Sequence, residues 1–156
     1  MIDVEMIDIE TLKWMTREIP PLHQQAWLSK AIDILREDFR QIGEMIPKEI
    51  HLSVNYPGRG VPLSLLGMHW KIDDQHYINI KPSMNGLMAL DLLVHELVHV
   101  VVDELGHGGQ FSVVAKAIGL DDTGSTAAAK EVLLKRLREI QEILGSYPLV
   151  TDCLEE

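Results

Sequence analysis

The stretch Leu92-Leu93-Val94-His95-Glu96-Leu97-Val98-His99-Val100-Val101-Val102 decides how this chain is read. Apart from His95, Glu96 and His99 it is wholly apolar, which predicts a helix lying in the core and covered on most sides. Two imidazoles and a carboxylate are costly to bury without partners, so their presence there needs a reason. His residues four apart leave a helix from the same face and can share one metal ion. A glutamate beside the first of them is placed to handle a water on that ion. The pattern predicts a zinc hydrolase with His95 and His99 as ligands and Glu96 as general base.

A catalytic zinc takes three protein ligands and keeps a fourth position open for water. His107 follows His99 by eight residues, between Gly106 and Gly108-Gly109, where glycine lets the backbone turn sharply and come close. It is the preferred third ligand, ahead of Glu131 and then Asp103, with Glu104 also open. Asp103 shares the helix face, but a straight helix carries it roughly 6 Å further along the axis from His99. His23, His51, His69 and His76 have no such spacing and read as surface or satisfied core positions, with one of them facing the cleft as the lesser alternative. Tyr77 and Tyr147 are the candidate side chains for stabilising an oxyanion.

Working outward, three extended segments precede this helix. Glu49–Tyr56 alternates with period two, and Leu65–Ile72 and His76–Lys81 flank Asp73-Asp74-Gln75, which suits a short hairpin loop. Three strands ending in a hairpin predict a small, mostly antiparallel sheet. Before them, Trp27, Ala31, Leu35, Phe39, Ile42 and Ile46 recur at steps of three or four. They predict a long amphipathic helix from Leu22, closed by Pro47. A first helical segment over residues 8–18 ends at Ile19-Pro20-Pro21. After the His helix, Gln110–Ile118 predicts a short helix capped by Gly119. A last helix begins near Ser125, buries Leu133, Leu137, Ile140 and Leu144, and stops at Gly145 and Pro148. The expected class is α+β: a long N-terminal helix, a small three-stranded sheet, the buried His helix and C-terminal helices. No repeat or linker divides the chain, so residues 1–156 read as one domain with a core over about 20–148 and a tail at 149–156.

Composition narrows the partners. At 46% hydrophobic and 24% charged the chain has the make-up of a globular domain, and no apolar run reaches the ~20 residues of a membrane span. The net charge of −10 and the lack of a basic block argue against independent nucleic-acid binding. The acidic start Met1-Ile2-Asp3-Val4-Glu5 does not read as a secretory signal. The lone Cys153 gives no disulfide. Together these predict a cytoplasmic protein.

His95-Glu96-Leu97-Val98-His99 followed by His107-Gly108-Gly109-Gln110-Phe111 resembles the SprT-like family of zinc metallopeptidases. There an HExxH helix is followed by a third His in an H-G-x-x-F/W segment. The likeness extends to Gly67-Met68-His69-Trp70 and Tyr77-Ile78-Asn79-Ile80 before the helix and to Ala115-Lys116-Ala117-Ile118-Gly119-Leu120 after it. It is strongest to the short SprT-like proteins of bacteria and their phages, and covers roughly residues 20–148. The metzincin pattern fails, because its glycine would fall at Val102 and its third His at Leu105. The resemblance implies a zincin-like minimal metallopeptidase core holding one catalytic Zn2+ on His95, His99 and His107, with Glu96 as base. It implies endopeptidase activity on protein or peptide substrates, DNA-associated proteins among them, in a bacterial or phage-infected cytoplasm. Many SprT-like proteins continue into a zinc ribbon with paired cysteines, for which Cys153 alone does not suffice, so association with DNA rests on the resemblance only. The alternative from another class is a non-catalytic interaction module in which zinc pins the helices; Glu96 argues against it, since a structural site has no use for a base.

Overall fold

The computed structural model describes residues 19–56, 66–82, 85–103, 109–120 and 130–148. Within them the elements run α1 (Ile19–Gln41), β1 (Ile50–Val54), β2 (Gly67–Ile72), β3 (Gln75–Ile80), α2 (Gly86–Val102), α3 (Gly109–Ile118) and α4 (Glu131–Leu144). The chain is α+β. The expected helix over 8–18, the start of the last helix near Ser125 and the tail from 149 lie outside the described residues.

Helix α1 starts at Ile19, so Pro20 and Pro21 stand in its first turn instead of only ending a preceding segment. The first turn has no intrahelical acceptor for its N–H groups, and proline loses nothing there. The helix ends at Gln41, not at Pro47. Gly43 takes a left-handed φ of 85°, and the Gly43 and Glu44 N–H groups donate back to Arg40 and Phe39 carbonyls, closing the turn. Ile46 keeps the apolar rhythm because it is buried after the helix has ended. Arg36 holds this connection by donating to the carbonyls of Ile46, Pro47 and Lys48.

The sheet order is β1-β3-β2. β2 and β3 form the expected antiparallel hairpin, but β1 pairs in parallel with β3, so the sheet is mixed and not mostly antiparallel. The two-residue turn Asp73-Asp74 has positive φ at both positions (49° and 64°), the twist-matched form for a tight hairpin. β3 is central because its alternate residues His76, Ile78 and Ile80 are all buried. β1 then supplies Val54 opposite Ile80 on the same face, which puts its apolar residues into the same core.

That core lies between one face of the sheet and the helices. Trp27, Leu28, Leu35 and Phe39 of α1 meet Leu90, Leu93, Val94 and Leu97 of α2, and Leu133, Leu137 and Ile140 of α4 close it. Asn85 caps α2, its side-chain oxygen accepting from Met88 N at 2.8 Å. A Cβ on Gly86 would come within 2.9 Å of Gln141 and Tyr147 side-chain atoms, so glycine allows α2 to begin tight against α4 and the segment after it. Arg136 of α4 forms a two-pronged pair with Asp38 of α1 at 2.8 and 3.0 Å.

Candidate metal centre

α2 carries the centre on its last two turns. The His95 and His99 rings stand edge to face with centroids 5.0 Å apart, the outcome of an i, i+4 pair leaving one helix face. His99 and Glu96 are buried, while His95 is partly exposed. Phe111 of α3 packs on both rings, at 5.3 Å from His95 and 4.5 Å from His99, so the short helix after the His helix walls the pair. Burial pushes the Glu96 carboxyl up to about 7, because a carboxylate away from water loses its solvation.

β2 runs beside α2 and meets it in step. Gly67, His69 and Lys71 are alternate residues and share one face of the strand. Gly67 lies against Glu96, the His69 ring is parallel to that of His99 at 6.0 Å, and Lys71 bonds Asp103 at 2.9 and 3.1 Å. Two strand residues advance about 6.7 Å and three or four helix residues about 5 Å, close enough for three successive contacts. Behind this row, His69 Nε2 lies 2.9 Å from His76 Nδ1 on β3. His69 is pushed down to about 4, by burial first and then by His76 and His99, with Asp103 opposing. His76 is also lowered, again mainly by burial. Both imidazoles are therefore uncharged at neutral pH.

No family model, curated protein or solved structure matches the chain at a significant level.

The third-ligand candidates divide clearly. His107 and Glu104 lie outside the described residues. Asp103 is engaged by Lys71, and its φ of 54° turns the backbone out of the helix. Glu131 is exposed on the first turn of α4. Among the described residues no three His, Cys, Asp or Glu side chains converge closely enough to hold a metal. The donor set still fits zinc in part: two converging imidazoles, a carboxyl beside them that burial raises, and an imidazole nitrogen, His69 Nδ1, buried without a hydrogen-bond partner among the described residues.

The oxyanion candidates do not reach this place. Tyr77 projects from the opposite face of the sheet, between Trp70 and His51. Tyr147 is buried edge-on against Trp27. The residues missed from the sequence are Gly67, His69 and His76. Period-two alternation in Gly67–Ile72 does place His69 between Gly67 and Lys71 on one face, but only the packing of β2 on α2 shows which face meets the His helix. His23 and His51 are exposed, as their lack of spacing implied.

Proposed function

We propose that this chain is a zinc-dependent metallopeptidase with a zincin-like, SprT-type core, hydrolysing peptide bonds in protein substrates. The observation that carries the reading is the joint placement of His95, Glu96 and His99 on one buried helix facing an edge strand. A hydrophobic helix gains nothing from that trio unless a cation and a reaction use it.

His95 and His99 would hold the ion, with His107 as the third ligand on the strength of the resemblance. When bound, zinc would polarise the scissile carbonyl and lower the pKa of its water toward ~7. Glu96 takes the proton from the attacking water and passes it to the leaving nitrogen. Among the described residues β2 pairs only with β3, so its outer edge offers backbone N–H and C=O groups to an extended peptide by strand addition. No helix of the described residues is long and apolar enough to cross a membrane, and the reading places the enzyme in the cytoplasm.

Zinc content and peptide hydrolysis measured together test this. Wild-type chain is expected to hold one zinc and to cleave casein. Glu96→Gln is expected to keep the zinc and lose at least about 100-fold in rate, as for removal of a general base. Unchanged turnover in that variant, or a wild type that takes up no zinc, overturns the reading. Histone cleavage with and without added DNA tests DNA-associated substrates, which predict faster cleavage when DNA is present.

A further inference from the structure

We infer that His69 is the hydrogen-bond donor this centre offers to the substrate oxygen on which negative charge develops, and that His76 is the residue that positions it. The inference rests on the peptidase reading and deepens it.

Hydrolysis of a peptide bond turns a neutral carbonyl oxygen into an oxyanion, and enzymes meet that charge with a donor fixed in advance. Neither candidate tyrosine stands at the His95–His99 end of the helix: Tyr77 is on the other face of the sheet and Tyr147 lies by Gly86 at the start of α2. His69 stands there. It projects from the edge strand along which an extended peptide would lie, and its ring is parallel to the His99 ring within 8°, with centroids 6.0 Å apart.

The two nitrogens of His69 have different surroundings. Nε2 is taken up by His76 Nδ1 at 2.9 Å, whereas Nδ1 is buried and has no hydrogen-bond partner among the described residues. A neutral imidazole carries one N–H and one bare nitrogen. If His76 Nδ1–H donates to His69 Nε2, the His69 proton sits on Nδ1, the unpartnered position. A buried N–H without an acceptor is unfavourable in the resting protein and is relieved when an oxyanion arrives, so the interaction favours the transition state over the ground state. His76 is itself buried on the central strand, which holds its Nδ1 facing His69 Nε2. His69 does not read as a direct ligand, because no three His, Cys, Asp or Glu side chains of the described residues converge on one point.

The full-length zinc-loaded protein can be tested with a peptide phosphinate, whose charged tetrahedral oxygens mimic the intermediate. Two affinities are read: zinc, by competition with a chromophoric chelator, and the phosphinate, by calorimetry. His69→Phe keeps a ring against His99 but removes both nitrogens. It is expected to bind zinc within about threefold of wild type and the phosphinate about 100-fold more weakly. His76→Leu is expected to lose about tenfold in phosphinate affinity, and His76→Asn, which keeps a donor near the Nδ1 position, to recover most of it. Undiminished phosphinate affinity in His69→Phe overturns the inference, since ring packing would then suffice. A loss of zinc affinity as large as the loss of phosphinate affinity also overturns it, making His69 a ligand. A wild type that holds zinc but neither cleaves peptide nor binds phosphinate overturns the peptidase reading itself, and the inference with it.

Discussion

Gly67 of β2 and the carboxylate of Glu96 on α2 are in direct apposition: a Cβ built on Gly67 would stand 3.3 Å from Glu96 Oε1. The strand can lie this close to the helix only because position 67 has no side chain. The separation is tighter than ordinary carbon–oxygen packing, so any larger residue moves the carboxylate.

Gly67→Ala is therefore expected to shift Glu96 by a few tenths of an ångström. A displacement of ~1 Å at a reacting group costs on the order of 100-fold, so a three- to tenfold fall in kcat is expected at about this smaller shift. Zinc affinity and Tm should stay close to wild type. Steady-state kinetics on a peptide substrate, with a melting curve beside them, check it; a kcat equal to wild type would show that the carboxylate has room to spare.

The raised Glu96 pKa makes a statement about stability in the metal-free protein. The folded value is about 7 against a reference of 4.5, so the fold prefers the neutral acid. Its contribution is fully present below pH 4.5 and is lost as pH rises through about 7. At ~1.36 kcal/mol per unit the difference of 7 − 4.5 gives on the order of 3 kcal/mol. Urea titrations of metal-free wild type and Glu96→Gln at pH 4.5 and pH 8 are expected to show this extra loss in the wild type alone. Parallel pH profiles for the two proteins would contradict it.

On the zinc reading, the engagement of Asp103 by Lys71 predicts that this carboxylate is not a ligand. Asp103→Gly removes the pair but suits the positive φ of 54°, and a pair this exposed contributes little. Stability is expected to change little and zinc affinity not at all. Glu131→Gln, on the exposed first turn of α4, is expected to be equally silent. His107→Ala is expected to weaken zinc binding by at least about 100-fold. Normal affinity in His107→Ala together with a loss in Glu131→Gln would transfer the third-ligand role to Glu131.

The core supporting the His helix can be probed away from the chemistry. Leu97 lies one residue past Glu96 and is fully buried. Leu97→Ala leaves a cavity and is expected to cost about 2–5 kcal/mol, read as a fall in the urea midpoint. Val113→Ala on the exposed side of α3 is expected to stay within about 0.5 kcal/mol. Similar losses in both would mean that α3 is packed on both sides.

Local pattern carried much of this far. The uniform apolarity of residues 92–102 marked a buried helix, and α2 is one, with Leu93, Val94, Leu97 and Val98 fully enclosed. The i, i+4 spacing of His95 and His99 was enough to place both rings together, because helix geometry is set within a single turn. The hairpin was legible from Asp73-Asp74, since turn conformation depends on neighbouring residues. The end of α1 was less so: Pro47 is the louder stop signal, but the left-handed Gly43 breaks the helix first.

By itself, then, the sequence determined the described elements, apart from where α1 ends, and the His95–Glu96–His99 trio, all products of interactions within a few residues. Only the tertiary structure decided that β1 joins β3 in parallel and that β2 is the strand laid against α2. It alone brought Gly67 to Glu96 and His69 to His99, across 29 and 30 positions of chain. Period-two alternation sorts a strand's residues into two faces, but which face is buried, and against which helix, depends on how all the apolar surfaces close on one another at once. Packing of that kind is a property of the whole core, and no short stretch of residues encodes it.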